Sequence, residues 1–443
     1  MKTKKMNMRD LIRLMKALDR EVANCSRCGI CQSVCPLYAV TGDESDVARG
    51  KIMLLSGLMT SFFENPHGVR QRLDRCLLCG ACAAACPRGV NTLELFLTAR
   101  GIIAGYEGLS LVKKLIFRRI LSNPRVFDRV MEWASRWQSL VLKKSDIPAG
   151  SCGTLVSPLL SHRHLAPLAM VPFHKMLPEQ TQLPGRSGMR VAFFVGCLLD
   201  KVFPKVAIDI GRVLTAHGFQ VIIPPDQGCC GIPALAAGDQ ASFQRLASHN
   251  LDRFDPLTFD FLVTGCATCT AAIKKIWPAM VNAASPDQSA AVARISEKTY
   301  DVMQFLVEVA GVRPSGQERE IVGGPIITYH DPCHLRKTLN ISSQPRIVLS
   351  ASGAGRFVEM PDAGSCCGMG GSFNLAHYDL STAIGEKKVA CIEASGASIV
   401  ATGCPACMIQ LADMLARQKD HVQVVHVMEL YAENILESAP GPK

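Results

Sequence analysis

The stretch "DQGCCGIPA", Asp226 to Ala234, sets two cysteines side by side between glycines, and "AGSCCGMGG", Ala363 to Gly371, does so again. Neighbouring cysteines bridge each other only with backbone strain. The pairs are therefore read with the cysteines around them. Upstream, "VAFFVGC" (Val191–Cys197) is a short apolar run of buried-strand length that ends in Cys197. Downstream, "FDFLVTGCATC" (Phe259–Cys269) is a strand running into a helix and carries Cys266 and Cys269. Between them "KVAIDIGRVLTAHG" has helical spacing and "FQVIIPP" reads as a strand. The same order returns in "GPIITYHDPC", a helix through Arg346 to Ser350, "RFVEMP", Cys366-Cys367, "ASIVATGCPACMIQLADML" and "VQVVHV". Cys333 follows Cys197 by 136 residues, Cys366 follows Cys229 by 137, and Cys404 follows Cys266 by 138. This is an internal duplication. Strands alternating with helices predict mainly parallel α/β layers.

In a parallel sheet the carboxyl ends of the strands share one edge, where open α/β folds bind ligands. Each repeat should therefore gather five thiols: Cys197, Cys229, Cys230, Cys266 and Cys269 in the first, Cys333, Cys366, Cys367, Cys404 and Cys407 in the second. Gly228 and Gly231 should let the chain turn tightly enough to aim the first pair at one centre. Five is one more ligand than tetrahedral zinc or a cubane cluster uses. Either one thiol is a spare or the site holds an iron–sulfur centre with a bridging thiolate. His330 and His334 flank Cys333 and could be ligands, but helix caps or hydrogen-bond donors to ligands are the plainer roles.

A second duplication lies nearer the N-terminus. "CSRCGICQSVCP" and "CLLCGACAAACP" are two copies of C-x2-C-x2-C-x3-C-P, the 4Fe–4S ligand run in which each fourth cysteine serves the other cluster. This assigns Cys25, Cys28, Cys31 and Cys86 to one cubane cluster, and Cys76, Cys79, Cys82 and Cys35 to the other. Pro36 and Pro87 turn the chain away, and Gly29 and Gly80 allow backbone amides near inorganic sulfur. Two zinc sites are the bland alternative. Residues 1–24 read as one helix, and the segments between and after the cysteine runs are helical in pattern, so this module is all-α. Cys152 and Cys391, the remaining two of twenty, read as structural.

Residues 108–144 read as two basic amphipathic helices broken at Asn123-Pro124, and 145–188 as a proline-rich linker. Trp133 and Trp137 on those helices suit a membrane surface or an acidic partner, though packing on the α/β part is the simpler expectation. Arg49 and Lys51 could ease the charge of a reduced cluster or lie on a solvated face. The chain has 443 residues, a formal net charge of +10 and 6% aromatic residues. Its Lys and Arg are scattered, with no stacking platform, which argues against nucleic-acid binding. No signal-type segment and no run of about 18 apolar residues appears, so the expectation is a cytoplasmic chain, at most peripheral to a membrane.

The doubled C…CCG…CxxC pattern is similar to the cysteine-rich domain of heterodisulfide reductase subunits. Behind two ferredoxin runs, the whole resembles the iron–sulfur subunits of glycolate oxidase and lactate dehydrogenase, the C subunit of anaerobic glycerol-3-phosphate dehydrogenase and the D subunit of heterodisulfide reductase. "GDESDVARGKI" (Gly42–Ile52) is similar to a stretch of the glycolate and lactate enzymes. The resemblance implies an alpha-helical ferredoxin domain over 1–107, the basic helices and linker over 108–188, and two CCG domains over 189–310 and 311–443. It implies an electron-transfer subunit carrying two cubane 4Fe–4S clusters and one or two further non-cubane 4Fe–4S clusters, with zinc an option in one CCG domain. "GMGGSF" (Gly368–Phe373) lacks dinucleotide-motif spacing, so FAD is expected on a partner dehydrogenase subunit, with a quinone or other carrier as acceptor. Complete five-cysteine sets also fit the rival, a subunit that reduces a disulfide at such a site. A zinc-held scaffold is the third reading.

Overall fold

The computed structural model describes residues 8–62, 65–144, 151–153, 163–176, 181–183, 185–314 and 324–438. By contact the chain forms two compact units, and neither is a single run of sequence. The first gathers residues up to Ser122 with Gly231–Arg245 and Gly368–Ile384, the segments that begin just after each Cys-Cys pair. The second holds Asn123–Cys230, Leu246–Cys367 and Gly385–Lys443.

The first unit is helical. Met8–Met15, a 3-10 turn at Lys16–Leu18 and Asp19–Asn24 replace the single helix expected there; the first seven residues lie outside the described part. Ala48–Met59, Pro66–Asp74 and Thr92–Glu107 supply the remaining long helices, and Leu55, Leu58, Leu73, Leu95 and Phe96 are among their core residues. Asn65 and Asn91 cap the last two helices through their side-chain oxygens. Gly231 (φ +93°) and Gly368 (φ +97°) turn the chain sharply into the two inserted segments. A Cβ at Gly231 would stand 2.7 Å from Phe243 Cδ2, so only glycine fits there. Gly228 is not left-handed; its amide is instead held by Asn250 Oδ1 at 2.9 Å.

The second unit carries the duplication. Three short strands form an antiparallel sheet: β1 (Leu142–Lys144), where the second basic helix was expected to continue, and β2 (Ser151–Gly153) and β3 (His164–Leu165) inside the expected linker, with Cys152 in β2. A larger sheet follows, of β4 (Thr181–Leu183), β5 (Arg190–Phe194), β6 (Gln220–Ile223), β7 (Phe261–Thr264) and β8 (Thr299–Asp301). Its order is β4-β6-β5-β7-β8, parallel except for β4. The second repeat gives β9 (Ile326–His330), β10 (Arg356–Phe357), β11 (Ile399–Thr402) and β12 (Gln423–His426), in the order β10-β9-β11-β12 and wholly parallel.

The two four-stranded parallel cores thus share one topology, as the repeat predicts. In the two larger sheets, three elements differ from the sequence reading. β8 escapes it, because "TYD" is too short for alternation to register. β4 lies in what reads as linker. "RFVEMP" yields only two paired residues, although the Val358 amide still donates to the Ile327 carbonyl of β9 at 2.8 Å. The helix Pro124–Val141 forms beyond Asn123, whose side chain accepts from the Val126 amide. Its Asp128 and Glu132 face inward to Lys201 and Lys175, at 2.6 Å each. Trp133 and Trp137 stay 66% and 53% exposed, so they do not pack onto the α/β part as expected. No single described helix is long and apolar enough to cross a membrane.

Candidate iron–sulfur sites

In the first unit the two cysteine runs fold alike. Arg27 and Leu78, then Gly29 and Gly80, adopt positive φ at matching places, so each loop curls around its own hollow. One hollow is lined by Cys25, Cys28, Cys31 and Cys86, the other by Cys35, Cys76, Cys79 and Cys82, and Cys82 borders both. These are the crossed sets expected from the spacing.

The environments of the hollows differ. At the first, Cys28 is exposed and Arg49 lies over the loop, donating to Glu44 Oε1 (2.6 Å) and to the Arg27 carbonyl (3.2 Å). A Cβ on Gly29 would meet Arg49 Nη1 at 2.9 Å. At the second, Cys79 is buried and the Leu78 amide donates to Cys76 Sγ at 3.4 Å. Lys51 lines this hollow, is 1% exposed and donates to the Asp46 carbonyl, so it lies on no solvated face. Arg100, 5% exposed, donates to the Cys76 carbonyl at 2.7 Å and to the Ala236 carbonyl at 2.7 Å. Burial pushes the Cys35 thiol up to about 11, helped by Cys76 and Cys79, and burial raises Cys82 further. Burial pulls the Lys51 ammonium below its ordinary value, against the raising effect of Cys76 and Asp46.

In the second unit the strand ends bring several cysteines of each set together. β5 ends at Phe194 and leads to Cys197; β7 ends at Thr264, and Cys266 then caps the helix Ala267–Ala271. β9 ends at His330 before Cys333, and β11 at Thr402 before Cys404, which caps Pro405–Arg417. Cys197 Sγ is 3.8 Å from Cys229 Sγ, and Cys269 hydrogen-bonds with Cys230 and Cys266. Cys367 Sγ is 3.5 Å from Cys407 Sγ, and Cys366 is buried beside it. Cys333 is half-buried at the turn that follows β9. Cys391 sits on a helix and donates to the Lys387 carbonyl at 3.3 Å, apart from these contacts.

The two sets also meet each other. Cys266 hydrogen-bonds with Cys404, the Ala267 amide donates to the Gly403 carbonyl at 3.2 Å, and His334 Nδ1 is 3.1 Å from Thr268 Oγ1. His426 Nε2 lies 3.1 Å from the Gly265 carbonyl. Thr268 and His426 were not singled out in the sequence. Nothing in residue type marks them, because their role arises from the juxtaposition of the two repeats.

Cys197, Cys269 and Cys407 are pushed well above the ordinary thiol range, mainly by hydrogen bonds with neighbouring cysteines and then by burial. Cys404 is pulled well below it by hydrogen bonds with Cys266 and Cys407. Crowded thiols of this kind cannot all ionise without a cation. A soft metal centre supplies the missing charge and releases their protons. The donor sets therefore fit metal–sulfur centres.

Comparison with known proteins agrees. A 4Fe-4S dicluster domain matches residues 21–90, and the cysteine-rich CCG domain matches 191–274 and 327–412. The chain belongs with the iron–sulfur proteins that join a dicluster domain to paired CCG domains. Among these homologues, the Bacillus subtilis (strain 168) protein named "Probable glycolate oxidase iron-sulfur subunit" is 29% identical over 93% of this chain and 94% of its own length. The glycolate oxidase iron-sulfur subunit of Escherichia coli (strain K12) is 25% identical over 91% of this chain and 93% of its own. The D subunit of the dihydromethanophenazine:CoB--CoM heterodisulfide reductase of Methanosarcina barkeri (strain Fusaro / DSM 804) is 27% identical over 93% and 94%. These likenesses support iron–sulfur clusters as cofactors and a redox, electron-transfer role in an oxidoreductase.

Proposed function

We propose that this chain is the electron-transfer subunit of a flavin-dependent 2-hydroxyacid dehydrogenase complex acting on lactate or glycolate. The observation that carries this reading is the pair of crossed four-thiol hollows in the helical unit. Cys25, Cys28, Cys31 and Cys86 would hold one 4Fe–4S cluster, and Cys76, Cys79, Cys82 and Cys35 the other. The two five-cysteine sets would hold further centres, with zinc an alternative in one. Bound clusters accept and release single electrons, which suits a chain linking a two-electron FAD partner to a quinone or another one-electron carrier. The chain's own residues then have distinct tasks. The exposed Cys28 edge opens the first site to a partner, the Leu78 amide steadies the Cys76 thiolate, and Lys51 and Arg100 offset negative charge at the second site. Leu111, Val112, Leu115 and Ile116, from 44% to 83% exposed beside Lys113 and Lys114, support a peripheral membrane contact, in keeping with a quinone acceptor.

The test is anaerobic co-purification with the FAD-containing partner, followed by addition of lactate or glycolate while the cluster absorbance is monitored. Bleaching is the expected result; clusters that stay oxidised with every 2-hydroxyacid would overturn the reading. A second reading, disulfide reduction at a five-cysteine site, is favoured by the contact between the two complete sets at Cys266 and Cys404. It predicts disulfide reduction by the isolated chain with an artificial electron donor. Iron, zinc and acid-labile sulfide analysis separates both from a zinc scaffold: about sixteen iron atoms mean four 4Fe–4S clusters, and about eight with zinc mean two.

A further inference from the structure

The central strands β5 and β9 are equivalent, and each ends three residues before the first cysteine of its set. β5 ends in Phe194, fully buried among aromatic rings: Phe254 lies 5.5 Å away and Trp277 6.5 Å. β9 ends in His330, which is 1% exposed and has neither ring nitrogen in a hydrogen bond. A ring nitrogen of His330 and the Sγ atoms of Cys367 and Cys407 all lie within 4.8 Å of one another. Its backbone is fixed by the Thr402 hydroxyl, which donates to the His330 carbonyl at 3.1 Å. The neighbouring Lys388 is already committed, donating to the Asp362 carbonyl at 2.6 Å. An imidazole buried with both nitrogens unpaired is costly, and a position beside two ligand thiols supplies a partner once those thiols become thiolates.

We infer that His330 is an N–H donor to the thiolates of Cys367 and Cys407, so the second five-cysteine site has a polar contact where the first has a phenyl ring. The inference rests on the reading of that set as an iron–sulfur site. N–H donors to cluster sulfur favour the more negative, reduced form, so the second centre is the easier of the two to reduce. His330 is a positioning and tuning residue rather than a ligand. The chemistry that separates the two CCG centres then lies in a residue outside the cysteine pattern.

The experiment compares anaerobically prepared wild-type chain with H330F, which copies the first repeat, and H330Q, which keeps a donor. Iron and sulfide are counted first, and then each centre is followed by EPR during a potentiometric titration. The expected result is unchanged iron in both variants. The midpoint of one CCG centre should fall in H330F and recover at least partly in H330Q, while the other centres stay put. In protein labelled with ¹⁵N-histidine, a weak nitrogen coupling to that centre should vanish in H330F. An unmoved midpoint with iron intact overturns the inference alone. Strong coupling typical of a coordinated imidazole, with iron lost in both variants, overturns it in favour of ligation. A wild-type second site that contains no iron–sulfur centre overturns the underlying reading as well.

Discussion

The two α/β repeats share a strand order and a cysteine pattern, yet the residues at their strand ends diverge. Phe194, Thr264 and Asp301 stand in register across the first sheet; His330, Thr402 and His426 do so in the second. Asp301 and His426 even have the same local task. Each accepts from the amide two residues on, Met303 at 3.0 Å and Met428 at 3.2 Å, and so caps the helix that follows. A carboxylate and an imidazole thus fill one structural role with opposite charge behaviour. The helical unit has a similar division, with one hollow at the surface under Arg49 and one buried beside Lys51 and Arg100. Duplication repeats the ligand spacing, while single substitutions around it give each copy its own electrostatics.

The largest expected effect tests whether the copies are separate centres. Replacing Cys230 or Cys367 with serine should each remove one centre, about four iron atoms by analysis, and leave the other's EPR signal in place. In the helical unit, Cys35→Ser should remove the buried cluster and Cys86→Ser the exposed one; the reverse pairing would break the crossed assignment.

The next contrast is pH. Burial raises the Asp301 carboxyl to about 7, and its Oδ2 has no hydrogen-bond partner. A raised acid contributes fully only below its unfolded value near 3.9, and the contribution is lost as pH climbs through about 7, a swing of about 4 kcal/mol. Asp301→Asn should therefore raise Tm at pH 8 and have little effect at pH 4. Burial lowers His426 to about 4. Its contribution is present above the unfolded value near 6.5 and is lost as pH falls toward about 4. His426→Asn should flatten that acid limb in thermal melts while costing stability at pH 8. Parallel pH profiles for the two variants would contradict the contrast.

Smaller effects are expected in the helical unit. Lys51→Met should lower the midpoint of the buried cluster by about 59 mV, one tenfold change for one electron, without moving the exposed cluster. Gly29→Ala forces a side chain to φ +89° and against Arg49, at a cost of about 1–2 kcal/mol. It should speed cluster loss in air from the first site only.

Much of this was legible in the sequence. The short apolar runs alternating with helical stretches and the near-constant cysteine offsets give the repeated parallel core, and the doubled C-x2-C-x2-C-x3-C-P run gives the crossed hollows. β8 was not legible, because three residues carry no usable period, and neither was the antiparallel β4 in a proline-rich stretch. Trp133 and Trp137 read as packing residues, but Asp128 and Glu132 form the inward face of their helix through ion pairs.

The sequence by itself determined which thiols are offered at ligand spacing, since the C-x2-C-x2-C-x3-C-P loops and the Cys-Cys pairs are set by residues a few positions apart. Tertiary structure alone decided what surrounds them. Lys51 and Arg100 become buried cations, His330 is left with unpaired nitrogens, and Cys266 meets Cys404. The physical reason is that burial and charge at a site are set by groups far apart in the chain, and residue type at one position carries no record of which distant neighbours exclude its water.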